Sequence, residues 1–133
     1  MIEKLEKIQL LYDKGERDIK ASEQLMKGDD GEFYSSIICF HCQQAVEKYL
    51  KAYLMYHEIA PPKTHDLLRL AAICSDFDEA FVGFELDGFA SYGVDIRYDA
   101  PHPSLSDAEQ AMSVAKEVIS YVVQKIPMEE SEE

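Results

Sequence analysis

EFYSSIICFHCQQAVEKYLKAYLMYH, residues 32–57, reads as a single long helix. At about 100° per residue, Ala45, Tyr49, Cys42, Tyr53, Val46 and Leu50 fall in one broad apolar arc. Gln43, Gln44, Glu47 and Lys51 take the opposite arc, which predicts a solvated face, or alternatively one that meets a partner, with Glu47 and Lys51 as an i,i+4 ion pair. An arc that wide implies a central helix touching two or more neighbours. Pro61 and Pro62 stop it, because proline lacks the amide and clashes with the preceding turn.

Working outward, residues 3–27 carry Leu5, Ile8, Tyr12, Gly15, Ile19, Ser22 and Met26 at alternating spacings of three and four. That pattern is a helical seam, and Gly15 and Ser22 are small positions where another helix can come close. Residues 27–31 (Lys-Gly-Asp-Asp-Gly) supply turn chemistry after it. Thr64 predicts the N-cap of a short third helix through Leu67, Leu68, Leu70 and Ala71. A fourth is expected from Ser75 or Asp76, with Phe77, Phe81, Phe84, Leu86, Phe89 and Ala90 as its apolar bulk. Ser104 and Ser106 each have an acid three residues on, a capping-box pattern that opens a last helix. Its stripe runs through Ala108, Ala111, Met112, Ala115, Val118, Ile119, Val122, Val123 and Ile126. The expected fold is therefore all-α, an antiparallel four- to five-helix up-and-down bundle over residues 1–127, with a disordered acidic tail at 128–133.

Composition agrees with one such domain. The chain has 133 residues, 47% of them hydrophobic, with 8 Tyr and 6 Phe to build a core and too few Gly (6) and Pro (5) for a turn-rich β protein. No apolar run is long enough to span a bilayer, and the opening MIEKLEKIQ lacks a signal-peptide core, so a cytoplasmic protein without membrane contact is expected. Against 13 Lys and Arg stand 26 Asp and Glu, a formal net charge of -13. Such a surface repels phosphate backbones, so any RNA or nucleotide must be met by a local cationic site or a cationic partner. The odd cysteine count (Cys39, Cys42, Cys74) implies no disulfide framework. Cys39 and Cys42 both project into the apolar arc with no second ligand pair, so core thiols are expected there, with no metal and no cofactor. His41, at the edge of the arc, is expected partly buried and hydrogen-bonded, and His65 sits where Thr64 and Asp66 cap a helix.

Three ordered motifs carry a resemblance. QQAVEKYLKA at 43–52, PPKTHDLLRL at 61–70, and the Tyr-x4-Arg-Tyr run from Tyr92 through Arg97 and Tyr98 are similar to those of the HEPN family. The resemblance spans the chain apart from the tail. It implies a helical bundle, usually a homodimer, often encoded beside a minimal nucleotidyltransferase. Some members are metal-independent ribonucleases that use an Arg–His pair, and others are binding or scaffolding modules. Toxin-like action on RNA within a two-component system is the corresponding expectation, and a non-catalytic module that binds a nucleotide or partner is its rival. A purely structural dimer that shields another subunit is the third.

Arg97 and His102 match the Arg-x4-His pattern. Cutting RNA without a metal needs a base for the 2′-hydroxyl, an acid for the leaving oxygen and a cation at phosphorus. Histidine can serve both proton roles, and arginine grips phosphate bidentately, with Tyr98 beside it as a further phosphate or nucleotide contact. One chain offers one such pair, so a dimer would help to complete the site. The alternative is that Arg97 pairs with Asp95 or Asp99 and His102 is a solvated loop residue. Members with a nucleotidyltransferase partner often continue to His-x-Tyr, where that tyrosine is adenylylated. Ser104 stands there in this sequence, placed either to be modified or, more economically, to cap the last helix.

Overall fold

The computed structural model describes residues 2–93 and 102–128. Four α-helices account for most of them: α1 (Ile2–Lys27), α2 (Ser35–Tyr56), α3 (Leu67–Cys74) and α4 (Leu105–Lys125). Two short 3₁₀ segments, Glu79–Gly83 and Ala90–Gly93, lie between α3 and α4. There is no strand among the described residues.

The seam read on α1 is the one that packs: Ile8, Tyr12, Gly15, Ile19 and Ser22 are buried. Gly15 lets α2 come so close that a Cβ there would lie 2.6 Å from the Tyr49 ring. Ser22 Oγ donates to the Ile38 carbonyl at 3.1 Å. These pairs run in opposite directions along the two helices, so α1 and α2 are antiparallel. Tyr12 Oη donates to the Ile126 carbonyl at 2.9 Å, and Lys116 pairs with Glu23 at 2.9 Å, so α4 is also antiparallel to α1. Up-and-down order thus leaves α2 and α4 parallel, with their N-termini at one end of the bundle. That topology positions the candidate site.

Three expectations need correction. Asp66, not Thr64, caps α3: its carboxylate accepts from the Leu68 and Arg69 amides at 3.0 and 3.3 Å, while Thr64 Oγ1 accepts from the Asp66 amide. The expected fourth helix from residue 75 is absent, because Asp78 caps Ala80 locally and Gly83 and Gly88 interrupt the run. Phe81, Leu86 and Phe89 are still buried, delivered by 3₁₀ turns and bends rather than by one helix face. Finally, Gln43 and Glu47 are buried, not solvated. The chain after Pro62 folds back over that face and closes it.

α2 stops at Tyr56, before the prolines. Glu58 takes a left-handed φ of 66°, and the Ile59 amide donates back to the Leu54 carbonyl at 2.9 Å.

Candidate functional site

His102 stands where the two parallel helices begin. Two residues on, Ser104 opens α4 with a complete capping box: its hydroxyl accepts from the Asp107 amide at 3.0 Å, and Asp107 Oδ2 accepts from the Ser104 amide at 2.9 Å. Pro103 between them is buried. Across from this segment lies Ser35, the first residue of α2, fully buried. Its Oγ lies 2.9 Å from His102 Nε2, 2.9 Å from the Glu32 carbonyl and in a short contact with the Pro103 carbonyl. His102 Nε2 is also 3.4 Å from the Glu32 carbonyl.

These contacts decide the imidazole's tautomer. A hydroxyl has one hydrogen, and two carbonyls that can only accept compete for the one on Ser35. The contact to His102 must therefore be donated by Nε2–H, and the Glu32 carbonyl reinforces that choice. In the neutral ring Nδ1 then carries the lone pair. The imidazole is exposed, so this nitrogen belongs to a side chain open to solvent and oriented from behind. Two helix N-termini lie beside it, and their positive dipole ends favour an anion, although Ser104 and the Asp107 carboxylate already cap that of α4. The acids of the α1–α2 turn (Asp29, Asp30 and Glu32) oppose it.

Arg97 and Tyr98, the expected phosphate contacts, and their carboxylate alternatives Asp95 and Asp99 lie outside the described residues. The acidic tail from residue 129 does too, whereas Met128 packs on the core. Ser104 is engaged as a cap. Ser35 carried no signal that singled it out in sequence, since its partners lie 67 and 68 residues away.

A second polar cluster runs along α2. Glu47 accepts from His65 Nδ1 at 2.9 Å and Lys51 Nζ at 3.0 Å, and Gln43 Nε2 donates to the His65 carbonyl at 2.7 Å. Gln44 donates to Gln43 Oε1 at 2.7 Å, and Lys48 and His41 both bind Asp18 of α1, at 2.7 and 2.9 Å. The first two sequence motifs thus meet each other, and Glu47, at 5% exposure, is held between the His65 ring and the Lys51 ammonium. No buried side-chain polar atom lacks a partner among the described residues. This chain of contacts ties α1, α2 and α3 together and is structural.

Cys39, Cys42 and Cys74 are buried thiols, pushed up by desolvation to about 12, 11 and 12. Among the described residues no three His, Cys, Asp or Glu side chains form a metal-binding group, and no helix is long and apolar enough to cross a membrane. A shallow depression of about 540 Å³ lies on α4 between Phe84, Lys116 and Tyr121, and His102 does not line it. Among the described residues its lining holds no histidine or arginine, which makes it a poorer candidate than the helix-start site.

The family model described as HEPN domain matches residues 8–126 of the 133. The chain belongs to the HEPN family. That match takes in α1 from Ile8 onward, all of α2, α3 and α4, the loop carrying Arg97 and Tyr98, and the His102–Ser104 segment of this HEPN domain. No curated protein and no solved structure matches the chain significantly.

Proposed function

We propose that this HEPN protein is the RNA-directed, toxin-like half of a two-component system whose other half is a minimal nucleotidyltransferase, and that it cuts RNA without a metal across a homodimer. The observation that carries the reading is the way His102 is held. Ser35 and the Glu32 carbonyl fix Nε2–H, so the exposed ring keeps one nitrogen for proton transfer. Arg97, five residues earlier in the chain, is the cation this chemistry asks for.

In the proposed reaction the Arg97 guanidinium grips the scissile phosphate. His102 Nδ1 takes the proton of the 2′-hydroxyl, and the 2′-oxygen forms a bond to phosphorus. The bond to the 5′-oxygen breaks, and that oxygen takes a proton from the imidazolium of the second copy. Two chains supply the base and the acid that one chain lacks.

An RNase assay tests it. His102→Ala should lose about 10²–10⁴-fold in cleavage rate. A variant that cuts RNA as fast as the parent would refute the mechanism.

A non-catalytic module that binds a nucleotide or partner is the second reading. It is favoured by the net charge of -13 and by Ser104, whose hydroxyl is committed to the capping box. Its mark would be a melting temperature raised by a nucleotide that is not consumed.

A further inference from the structure

We infer that Phe33 is a stacking platform for one base of a single-stranded RNA whose phosphate lies at His102; this rests on the reading just given. Phe33 is 74% exposed, and no other large hydrophobic among the described residues is more so. It sits in the turn before α2, and its position relative to His102 is set by a contact. The Glu32 carbonyl oxygen is 3.4 Å from His102 Nε2. Adding the bonds from that oxygen to the next Cα places the Phe33 Cα no more than about 7 Å from the imidazole nitrogen. A nucleotide with its phosphate against the imidazole can lay its base over a side chain at that range.

The ring is held as well as exposed. It packs at 85° against the Tyr34 ring with centroids 5.0 Å apart, an edge-to-face pairing that leaves most of Phe33 in water. Ile37, one helical turn on, is 44% exposed and extends the apolar strip along α2.

Charge says what this strip receives. With a net charge of -13, and Asp29, Asp30 and Glu32 in the same turn, the chain cannot draw RNA by general attraction to its backbone. Stacking on an aromatic ring is indifferent to that field, and every base has a face to offer. Bases paired within a duplex are already stacked and do not reach such a platform, so the ligand is single-stranded.

The test is binding of a short 2′-O-methyl oligoribonucleotide, which cannot be cut because its 2′-oxygen is blocked, with its duplex and a copy carrying one abasic position as comparisons. Phe33→Ala should weaken single-strand binding about 10- to 100-fold. Phe33→Tyr should restore it to within about threefold, because the ring face is kept. The loss should have the same size in a His102→Ala background, and the abasic copy should erase it. Equal binding by the parent and Phe33→Ala overturns the platform, whatever the RNase assay of His102 says. Binding with the stacking loss but no cleavage keeps the platform and overturns the nuclease. A parent that neither binds nor cuts overturns both. Unchanged affinity with a shift from dimer to monomer on sedimentation would assign the strip to a second copy and overturn stacking.

Discussion

Ser35→Ala is the perturbation that bears most directly on the site, because one buried hydroxyl ties together the start of α2, the Pro103 carbonyl and the imidazole. Ser35 is fully buried, and its oxygen lies within hydrogen-bond reach of the Glu32 and Pro103 carbonyls and of His102 Nε2. Truncation creates almost no cavity, so the cost is polar. The Pro103 carbonyl, within a buried residue, loses the only donor it has among the described residues. Leaving a buried acceptor unpaired costs about 1–3 kcal/mol. A central value of about 2 kcal/mol lowers the melting temperature of a domain this size by roughly 6–10 °C. The functional consequence is separate. Without the Ser35 oxygen only the longer contact to the Glu32 carbonyl favours Nε2–H, so the ring should sample both tautomers and move. Nitrogen NMR of the His102 ring should show Nε2–H in the parent and a mixture in the variant. Calorimetry on the same samples gives the melting shift, and any RNA cleavage should fall about tenfold from the looser base. A variant that melts within about 1 °C of the parent, with an unchanged ring signal, would show that Ser35 does not hold this histidine.

Gly15→Ala should destabilise the bundle by about 1–3 kcal/mol, despite alanine's better helix propensity, because the new methyl meets the buried Tyr49 ring at 2.6 Å and that ring is itself stacked on Tyr12. Chemical denaturation measures it, and a variant more stable than the parent would contradict the close approach. Alkaline conditions should unfold the protein through its thiols. Desolvation raises Cys39, Cys42 and Cys74 from 9.0 to about 12, 11 and 12, so the folded state holds their protons more tightly than the unfolded chain does. Their contribution is intact below pH 9 and drains away as the pH climbs toward 12. Denaturation midpoints should therefore hold up to pH 9 and fall by pH 11, and a midpoint unchanged across that interval would refute it.

How much of this was legible beforehand differs by element. The seam of α1 was readable because Ile8, Tyr12, Ile19 and Ser22 follow helical spacing and Gly15 marks a close crossing. The start of α4 was readable because its capping box lies within four residues, Ser104 to Asp107. Residues 75–90 misled, since aromatic spacing resembling a helix face was satisfied by 3₁₀ turns between glycines and Asp78. Gln43 and Glu47 looked solvated because helical phase reports direction from one axis and cannot say that another segment covers it. The Gln-Gln and Thr-His-Asp motifs were both visible; that they touch was not.

By itself, then, the chain's periodicity, caps and composition determine an all-helical bundle with α2 at its centre, and its motifs single out His102. Those are local properties, settled by neighbours within a few residues. Only the tertiary structure decided that α2 and α4 start at one end, that Ser35 reaches across 67 residues to fix the imidazole proton, and that Phe33 stands exposed beside it. A hydrogen bond between residues so far apart in sequence depends on how the helices pack, and no spacing rule along the chain encodes it.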